Sequence, residues 1–329
     1  MSSPHIKVAI VGMGVAGSYL YRLLSLNRIE ADCFDIKRNE ACGCSSCAWG
    51  VEEKAFVRAC IYVGLNPNKY IYRSFNFIDI GVECKASLCT INKPKFLRDL
   101  RKGEFINFTP VDVEDYDIVI DATGVDRALL PPVKNDRIIN TIQYKMKTND
   151  NYNDNQFIIE PAPVGYWWHF PLSPGHIHVG CGNLITDPKK VLTTRFNLYD
   201  HKIICSCYSK ERLSSPLRCM PIVHKNIYGI GESIGCTMAG CGAGIIPSIE
   251  CAIIFAQCLI NNKLDQYEKR VLHRFRYLER DAKFLDRLVS GEGVRFRDAL
   301  LVYPNVRKAG IYPGIKQLLQ LARRAEWKK

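Results

Sequence analysis

The hydrophobic pattern at the start of the chain predicts a βαβ unit. Residues Lys7 to Val11 form a short run, rich in β-branched side chains, that ends at a glycine and is typical of a strand. A helical pattern then extends from Val15 to Leu26, and Ala31 to Asp35 is predicted to be a second strand. Strands that alternate with helices indicate a parallel sheet covered by helices.

Two later regions repeat this pattern. Asp117 to Ile120 reads as a buried strand that ends in Asp121-Ala-Thr-Gly124. Residues 226–231 form another strand, followed by a glycine-rich turn and a helix from Pro247 to about Ile260. These elements are expected to return to the first sheet, so the pattern predicts a Rossmann-type domain that is interrupted by a second domain.

The glycine pattern after the first strand points to a dinucleotide. Gly12, Gly14 and Gly17 follow a strand and open a helix, which is the context that gives the G-x-G-x-x-G motif its meaning. The first glycine permits a tight turn, the second lets the backbone approach the pyrophosphate, and the third allows close packing of helix on strand. Asp35 ends the second strand at the position of a ribose-binding acid.

The dinucleotide is predicted to be one FAD, although an acid on the ribose suits NAD equally well. The strand end at Ala122 and Gly124 and the glycine-rich stretch from Gly231 to Ile245 offer two further approaches to one cofactor. No second strand–G-x-G-x-x-G–helix unit is present in the sequence for a nicotinamide nucleotide.

Three further segments carry a resemblance. They are Cys47-Ala-Trp-Gly50, then Pro163-Val-Gly-Tyr166-Trp-Trp168-His-Phe170-Pro171, and finally Gly231-Glu232 through Gly244-Ile245. Together with the glycine motif, they resemble the geranylgeranyl reductase family, which includes archaeal digeranylgeranylglycerophospholipid reductases. The aromatic segment matches the family's P-x-x-Y-x-W-x-F-P pattern at every fixed position. The resemblance covers residues 6 to about 260, and it implies an FAD-dependent enzyme of lipid biosynthesis that reduces isoprenoid double bonds.

The resemblance also implies a set of FAD contacts. Added to Gly12, Gly14, Gly17 and Gly124, the implied residues are Ala16, Asp35, Cys47, Ala48, Gly50, Arg98, Ala122, Glu232, Gly244 and Ile245. This chain departs from the family at Glu232, where an aspartate is usual. The segment between Gly124 and Glu232 is also short for a domain that encloses a long prenyl chain.

The predicted fold class is therefore α/β, with a Rossmann-type FAD-binding domain, an inserted antiparallel-sheet substrate domain and a helical C-terminal tail. The expected bounds are 1–125 with 205–275 for the FAD domain, 126–204 for the substrate domain and 276–329 for the tail.

The aromatic segment supplies candidate substrate-binding residues. Tyr166, Trp168 and Phe170 alternate along an apparent strand, so they share one face that suits an isoprenoid chain held against the flavin. The alternative is a sheet face packed on a helix, and the flavin motifs favour the pocket. Tyr166, Trp168 and Cys47 are the predicted catalytic residues, whereas His169 points to the other face as a hydrogen-bonded sheet histidine.

Fifteen cysteines are many for a reducing compartment. Cys42, Cys44 and Cys47 form a C-x-C-x-x-C cluster, but no standard zinc or ferredoxin spacing completes it, so no metal is predicted. Free thiols, a local disulfide and a metal site all stay open for these three residues.

Composition and charge limit the partners. A hydrophobic fraction of 47% fits a soluble globular protein, and the longest apolar run is interrupted by Pro247, Glu250 and Gln257. We expect a cytoplasmic protein, with peripheral membrane contact left open by the basic, amphipathic C-terminal segment. The net charge of +12 attracts nucleic acid, anionic lipid or phosphorylated substrates alike.

Three functions compete at this point. The first is an FAD-dependent reductase of isoprenoid double bonds that takes electrons from ferredoxin or a reduced nicotinamide. The second is a hydroxylase or electron-transfer flavoprotein of the same fold. The third is a non-catalytic, basic binding protein on a Rossmann scaffold. The flavin motifs favour the first, with no nucleic acid as partner, and leave chain length and oligomeric state undetermined.

Overall fold

The computed structural model describes residues 6–36, 48–149, 152, 155–162, 164–291 and 296–325. In chain order, its strands are β1 (Val8–Val11), β2 (Asp32–Phe34), β3 (Gly50–Glu52), β4 (Ile71–Asp79), β5 (Glu83–Ile91), β6 (Ile106–Asn107), β7 (Ile118–Asp121), β8 (Ile138–Lys147), β9 (Ile158–Ala162), β10 (Gly165–Pro171), β11 (His176–Asn183), β12 (Lys202–Arg212), β13 (Val223–His224), β14 (Ile227–Gly229) and β15 (Ile311–Tyr312). Its α-helices are α1 (Val15–Leu26), α2 (Glu53–Tyr62), α3 (Lys93–Leu100), α4 (Pro188–Thr193), α5 (Ile245–Ile260), α6 (Tyr267–Arg274), α7 (Leu278–Ser290), α8 (Phe296–Lys308) and α9 (Ile315–Ala325).

The chain divides into two compact units. The first unit contains Met1–Asn39, Lys95–Arg137 and Arg212–Glu279, and the second contains Glu40–Pro94, Ile138–Glu211 and Arg280–Lys329. Each unit is built around its own sheet.

The first unit contains a sheet with the order β13-β14-β7-β1-β2-β6. From β14 to β6 the neighbours run parallel, and only β13 pairs antiparallel, with β14. The central strands β1 and β7 are continuous apolar runs, which is typical of parallel strands that are buried on both faces. Helix α1 connects the parallel strands β1 and β2, so the predicted βαβ unit is confirmed.

The second unit contains a larger sheet with the order β12-β8-β11-β10-β9-β4-β5-β15, and β3 also pairs with β5. Its neighbours from β8 to β15 pair antiparallel, except for a short parallel contact between β4 and β9. One face of β8, β10 and β11 packs on α4 through a buried cluster that includes Tyr144, Trp167 and Leu192. The fold class is thus confirmed: a parallel Rossmann-type sheet, an antiparallel second sheet and helices towards the C-terminus.

The division of the chain differs from the expected bounds in three places. Residues 40–94 belong to the second unit because β3, β4 and β5 extend its antiparallel sheet. Strand β12 stays with that sheet, so the return to the first unit occurs at Arg212 rather than near residue 205. The tail is not separate either, since β15 pairs with β5 and residues 280–329 join the second unit.

Among the described residues, no helix is both long enough and apolar enough to cross a membrane.

Candidate functional site

The glycine loop after β1 has two glycines that the fold itself requires. Gly12 has a φ of +96°, and a Cβ there would lie 2.4 Å from the carbonyl oxygen of Ala122. A Cβ on Gly17 would lie 2.0 Å from the carbonyl oxygen of Gly12. Gly14 differs, because a Cβ built on it would meet nothing within 4 Å. The loop therefore has open space at the position where a pyrophosphate is expected to approach.

The N-terminus of α1 opens onto this space. Gly14 is the N-cap residue, and no described side chain caps the helix. The first amides of a helix have no intrahelical partner, and they carry the positive end of the helix dipole. Such a terminus binds phosphate oxygens well. The backbone at Gly14 and Ala16 fits the pyrophosphate of a dinucleotide.

Asp35 lies at the end of β2, half-buried beside the glycine loop. Its Oδ2 accepts the backbone N–H of Met13 at 3.2 Å, and its Oδ1 accepts the N–H of Ile36 at 2.9 Å. A carboxylate has about four acceptor positions, so both oxygens keep capacity for ribose hydroxyls. Asp35 thus fixes the loop and fits the predicted ribose contact.

An arginine one turn beyond Arg98 contacts the glycine loop. Arg98 is exposed on α3, whereas Arg101 donates from Nη1 to the carbonyl oxygen of Met13 at 3.4 Å and from Nε to Leu97 at 3.1 Å. The assignment of Arg98 as an FAD contact stays a prediction. Arg101 was missed because its signal is only a basic residue at a helix end.

The end of β7 is held by Asp121, which is fully buried. Its Oδ1 accepts the hydroxyl of Thr123 at 2.6 Å, and its Oδ2 accepts the backbone N–H groups of Leu129 and Leu130, each at 3.0 Å. These bonds give the strand end a fixed path. Gly124, with a φ of +69°, follows directly and would bring a Cβ 3.4 Å from Oε2 of Glu232.

Arg212 ties Glu232 to this strand end. Its guanidinium donates to both oxygens of Asp136, at 2.9 to 3.0 Å, and to the carbonyl oxygens of Gly124 and Glu232, at 3.2 and 2.9 Å. Its backbone N–H donates to Oε1 of Glu232 at 2.8 Å. The longer glutamate side chain is therefore anchored by Arg212, a residue that sequence patterns did not single out.

The last predicted cofactor segment packs against the first. Gly231 has a φ of +70°, and a Cβ there would lie 2.8 Å from the Cβ of Ala16. Gly244 is the N-cap of α5, again without a described side-chain cap, and Ile245 is the first helical residue. The structure thus brings the predicted segments of the first unit around the same sheet end, and two uncapped helices begin among them.

In the second unit, β10 has an aromatic face. Tyr166, Trp168 and Phe170 share that face by strand alternation, and all three are buried. His169 lies on the opposite face, where Nε2 is 2.9 Å from the hydroxyl of Tyr152 and Nδ1 is 2.8 Å from the carbonyl oxygen of Gln156. The prediction of a hydrogen-bonded sheet histidine is confirmed.

The three aromatic residues have different neighbours. The hydroxyl of Tyr166 donates to Oε2 of Glu211 at 2.9 Å, and Nε1 of Trp168 donates to Oε1 of Gln143 at 3.1 Å. The ring of Phe170 instead stacks on Phe157, with centroids 4.2 Å apart. Phe170 therefore contributes to packing, while its part in binding substrate stays a prediction.

Gly50 is required by the same packing. A Cβ on Gly50 would lie 2.7 Å from Phe157 and 2.9 Å from Phe170. Of the Cys-Ala-Trp-Gly segment, Cys47 lies outside the described residues, as do Cys42, Cys44 and, in the aromatic segment, Pro163. The FAD contacts assigned to Ala48 and Gly50 stay predictions.

The described cysteines are free thiols, apart from Cys205, which is disulfide-bonded. Within the described ranges, no three histidine, cysteine or carboxylate side chains are grouped as metal ligands would be.

The two sheets and the glycine loop define the class of fold, which is that of FAD-dependent flavoproteins. No protein-family model matches the chain. A protein of Methanocaldococcus jannaschii described as uncharacterised is 26% identical over an alignment of 337 positions, which covers 84% of this chain and 91% of that protein.

Solved structures give the same class. A geranylgeranyl bacteriochlorophyll reductase-like protein from Thermoplasma acidophilum has a TM-score of 0.73 at 18% identity, covering 98% of this chain and 97% of that one. A probable FAD-dependent monooxygenase from Pseudomonas aeruginosa has a TM-score of 0.61 at 12% identity, covering 86% and 96%. At these identities, the likeness establishes the fold.

Proposed function

We propose that this protein is an FAD-dependent oxidoreductase that reduces isoprenoid carbon–carbon double bonds in a prenyl lipid or a related substrate. The observation that carries the proposal is the aromatic segment, which forms β10 with Tyr166, Trp168 and Phe170 on one face. This strand occurs in a chain with the fold of flavoproteins, and its sequence matches the pattern of a reductase family.

The first unit holds the cofactor in this proposal. The amides around Gly14 and Ala16 bind the pyrophosphate, and Asp35 binds the adenosine ribose. The N-terminus of α5, at Gly244 and Ile245, offers the second set of free amides. When bound and reduced, the flavin supplies the hydride that alkene reduction requires.

The aromatic face of β10 holds the substrate. Reduction of an unactivated alkene depends on positioning, because the reacting carbons must be held in place and kept dry. Gly180 on the neighbouring strand β11 makes the face flat: a Cβ there would lie 2.2 Å from Cζ2 of Trp168. The indole therefore lies across β11, and in this proposal its ring is the apolar surface that an isoprenoid chain contacts.

In this proposal, Tyr166 supplies the proton that the second alkene carbon needs. Its Oη carries a proton that is directed at Glu211, so the carboxylate fixes the rotation of the hydroxyl. Cys47, a predicted catalytic residue that lies outside the described residues, is the second candidate for this proton transfer, and Trp168 positions the chain by contact.

The partners of this enzyme follow from the same proposal. They are an isoprenoid or lipid-like substrate and an external electron donor, either ferredoxin or a reduced nicotinamide, with no nucleic acid. Peripheral membrane contact would involve α9, where Ile315 is exposed while Leu318 is buried.

Absorbance and single-turnover reduction test the proposal. The purified protein is expected to carry a flavin band near about 450 nm. Under anaerobic conditions, the chemically reduced protein is mixed with geranylgeraniol, and both flavin reoxidation and hydrogenated product are followed. Tyr166→Phe is expected to slow reoxidation by about 10²- to 10⁴-fold, the usual contribution of a positioned acid, with the flavin band unchanged. Tyr199→Phe is the matched control, since Tyr199 is 93% exposed in the second unit.

Three outcomes contradict the proposal. A colourless protein that FAD cannot reconstitute removes the cofactor. A reduced protein that gives a hydroxylated product only when oxygen is admitted indicates a monooxygenase. Equal rates for Tyr166→Phe and the wild type remove the proton-donor role.

A further inference from the structure

A group of hydrogen-bond donors lies on the aromatic-bearing face of the second sheet. The cross-strand register places Gln143 opposite Gly180 and Lys145 opposite His178, and it places Gly180 opposite Trp168. Gln143 and Lys145 are two residues apart on β8, so their side chains share this face.

The orientation of the Gln143 amide is fixed by its neighbour. An indole N–H can only donate, so the oxygen of the amide must face Nε1 of Trp168, at 3.1 Å. A flipped amide would place two donors against each other. The amide nitrogen is therefore directed away from Trp168, and it has no hydrogen-bond partner in the described part of the chain. Gln143 is buried, with only 5% of its surface exposed.

Trp49 supplies a second hydrogen-bond donor on the same face of the second sheet. Its ring lies 4.5 Å from the ring of His178, centroid to centroid, and Nζ of Lys145 lies 5.1 Å from the Trp49 ring. Trp49 is 1% exposed, and its Nε1 likewise has no hydrogen-bond partner among the described residues. A buried donor without a partner costs free energy, so each of these two donors calls for an acceptor.

The surroundings of these donors are positively charged. Lys145 is half-buried and makes no ion pair with any described carboxylate. Burial, followed by the positive charges of Lys145 and Lys93, lowers the pKa of His178 to about 3. The imidazole is therefore neutral at pH 7, and the two lysines supply the local charge.

We propose that Trp49, Gln143 and Lys145 form an oxyanion pocket that binds a phosphate or carboxylate group of the substrate. Trp49 Nε1 and Gln143 Nε2 donate neutral hydrogen bonds, and Lys145 adds a charge-assisted one and the countercharge. Lys145 is half-buried, so it is the member of this group that solvent reaches. The class of ligand follows from two buried N–H donors and one positive charge, which together suit an oxygen-rich anion.

The position of the pocket extends the proposed function, on which this part of the inference rests. Strands β8 and β10 lie two strands apart, which is about 10 Å at the usual spacing in a sheet. Trp168 contacts both places, since its ring belongs to the aromatic face and its N–H sets the Gln143 amide. An apolar chain on β10 can therefore carry its anionic end to β8.

Indole N–H resonances test the pocket without any need for turnover. The chain has four tryptophans, so a sample with ¹⁵N-labelled tryptophan gives few indole signals, and Trp49→Phe identifies the one from Trp49. We expect inorganic phosphate, added at constant ionic strength against chloride, to move the Trp49 signal downfield. A signal that does not move with inorganic phosphate or with geranylgeranyl phosphate overturns the pocket, because an ordered water then satisfies the donors.

Substitutions separate binding from folding. Gln143→Glu keeps an oxygen for Trp168 but replaces the donor by a negative charge, and Lys145→Met removes the positive charge. Each is expected to weaken phosphate binding by about tenfold to a hundredfold. Lys189→Met is the matched control, because Lys189 is exposed on α4, which packs on the opposite face of the sheet. Unchanged phosphate affinity in Gln143→Glu and Lys145→Met contradicts the proposal.

Three probes with the same chain identify the source of the anion. We expect geranylgeranyl phosphate or geranylgeranoic acid to bind more tightly than the uncharged geranylgeraniol. Whichever of the two anionic probes binds more tightly identifies the anionic group as a phosphate or a carboxylate. The advantage should vanish in Gln143→Glu. If inorganic phosphate moves the Trp49 signal but none of the prenyl probes binds, the oxyanion pocket stands and the isoprenoid substrate fails. Equal affinities for all three probes overturn the role of the pocket in substrate binding.

Discussion

Replacing Gly14 with alanine separates the demands of the fold from those of the cofactor. Gly14 has a φ of −73° and a ψ of −154°, which an alanine can adopt, and its Cβ would lie in open space. The flavin-free variant is therefore expected to be as stable as the wild type, or more stable by about 0.4–1 kcal/mol, because alanine restricts the unfolded chain.

The expected loss lies in FAD binding. The new methyl group would occupy the space through which the pyrophosphate reaches the amides at the start of α1. Loss of one charge-assisted hydrogen bond is worth about 1.5–3 kcal/mol, or roughly tenfold to a hundredfold in Kd. Titration of flavin-free protein with FAD, followed by quenching of flavin fluorescence, measures this change, and urea unfolding measures stability.

Two other glycines serve as controls. A Cβ on Gly17 would lie 2.0 Å from the carbonyl oxygen of Gly12 and 3.2 Å from Cγ2 of Ile10, so Gly17→Ala is expected to destabilise the flavin-free protein by about 1–3 kcal/mol. In the second unit, Gly314→Ala would meet only the end of the Gln317 side chain at 2.9 Å and should change neither property. Wild-type FAD affinity in Gly14→Ala would refute the assignment of the pyrophosphate to this loop.

Two further predictions concern stability. Arg212→Met leaves Asp136 and the carbonyl of Glu232 without their partner in a site where the arginine side chain is 3% exposed. Urea unfolding should therefore show that the free energy of unfolding falls by about 3–5 kcal/mol, and the Arg212→Met/Asp136→Leu double variant should recover part of it. A loss below about 1 kcal/mol would contradict this. The folded protein keeps His178 neutral to about pH 3, whereas the unfolded chain takes up that proton near about 6.5. The folded state therefore binds fewer protons between these values, and stability should fall by about 1.4 kcal/mol per unit as the pH decreases below about 6.5. His178→Gln should flatten this slope, and equal slopes in both proteins would contradict the burial of a neutral imidazole.

The fold of the first unit was largely readable from the sequence. Helix α1 was predicted to run from Val15 to Leu26, as found, and β1, β7, β14 and α5 lie within a few residues of their expected bounds. These elements have a clear period and a glycine at the turn, so local sequence carries their signal. The hairpin of β4 and β5 was missed, and its place in the second sheet depends on pairing with strands that are distant along the chain.

The candidate site divides in the same way. The alternation of Tyr166, Trp168 and Phe170 was predicted from the strand period. The restraint of Glu232 by Arg212 was not, since the arginine lies 20 residues away and its other partner, Asp136, is 76 residues away.

By itself, the sequence determined the dinucleotide loop, the parallel sheet and the aromatic strand, because each depends on residues that are close along the chain. Only the tertiary structure decided which residues join the second sheet and which donors meet there. Gln143 and Lys145 share a face of β8 through strand register, and Trp49 lies beside Lys145 and His178. Register is set by many weak contacts between distant segments, so no local pattern contains it.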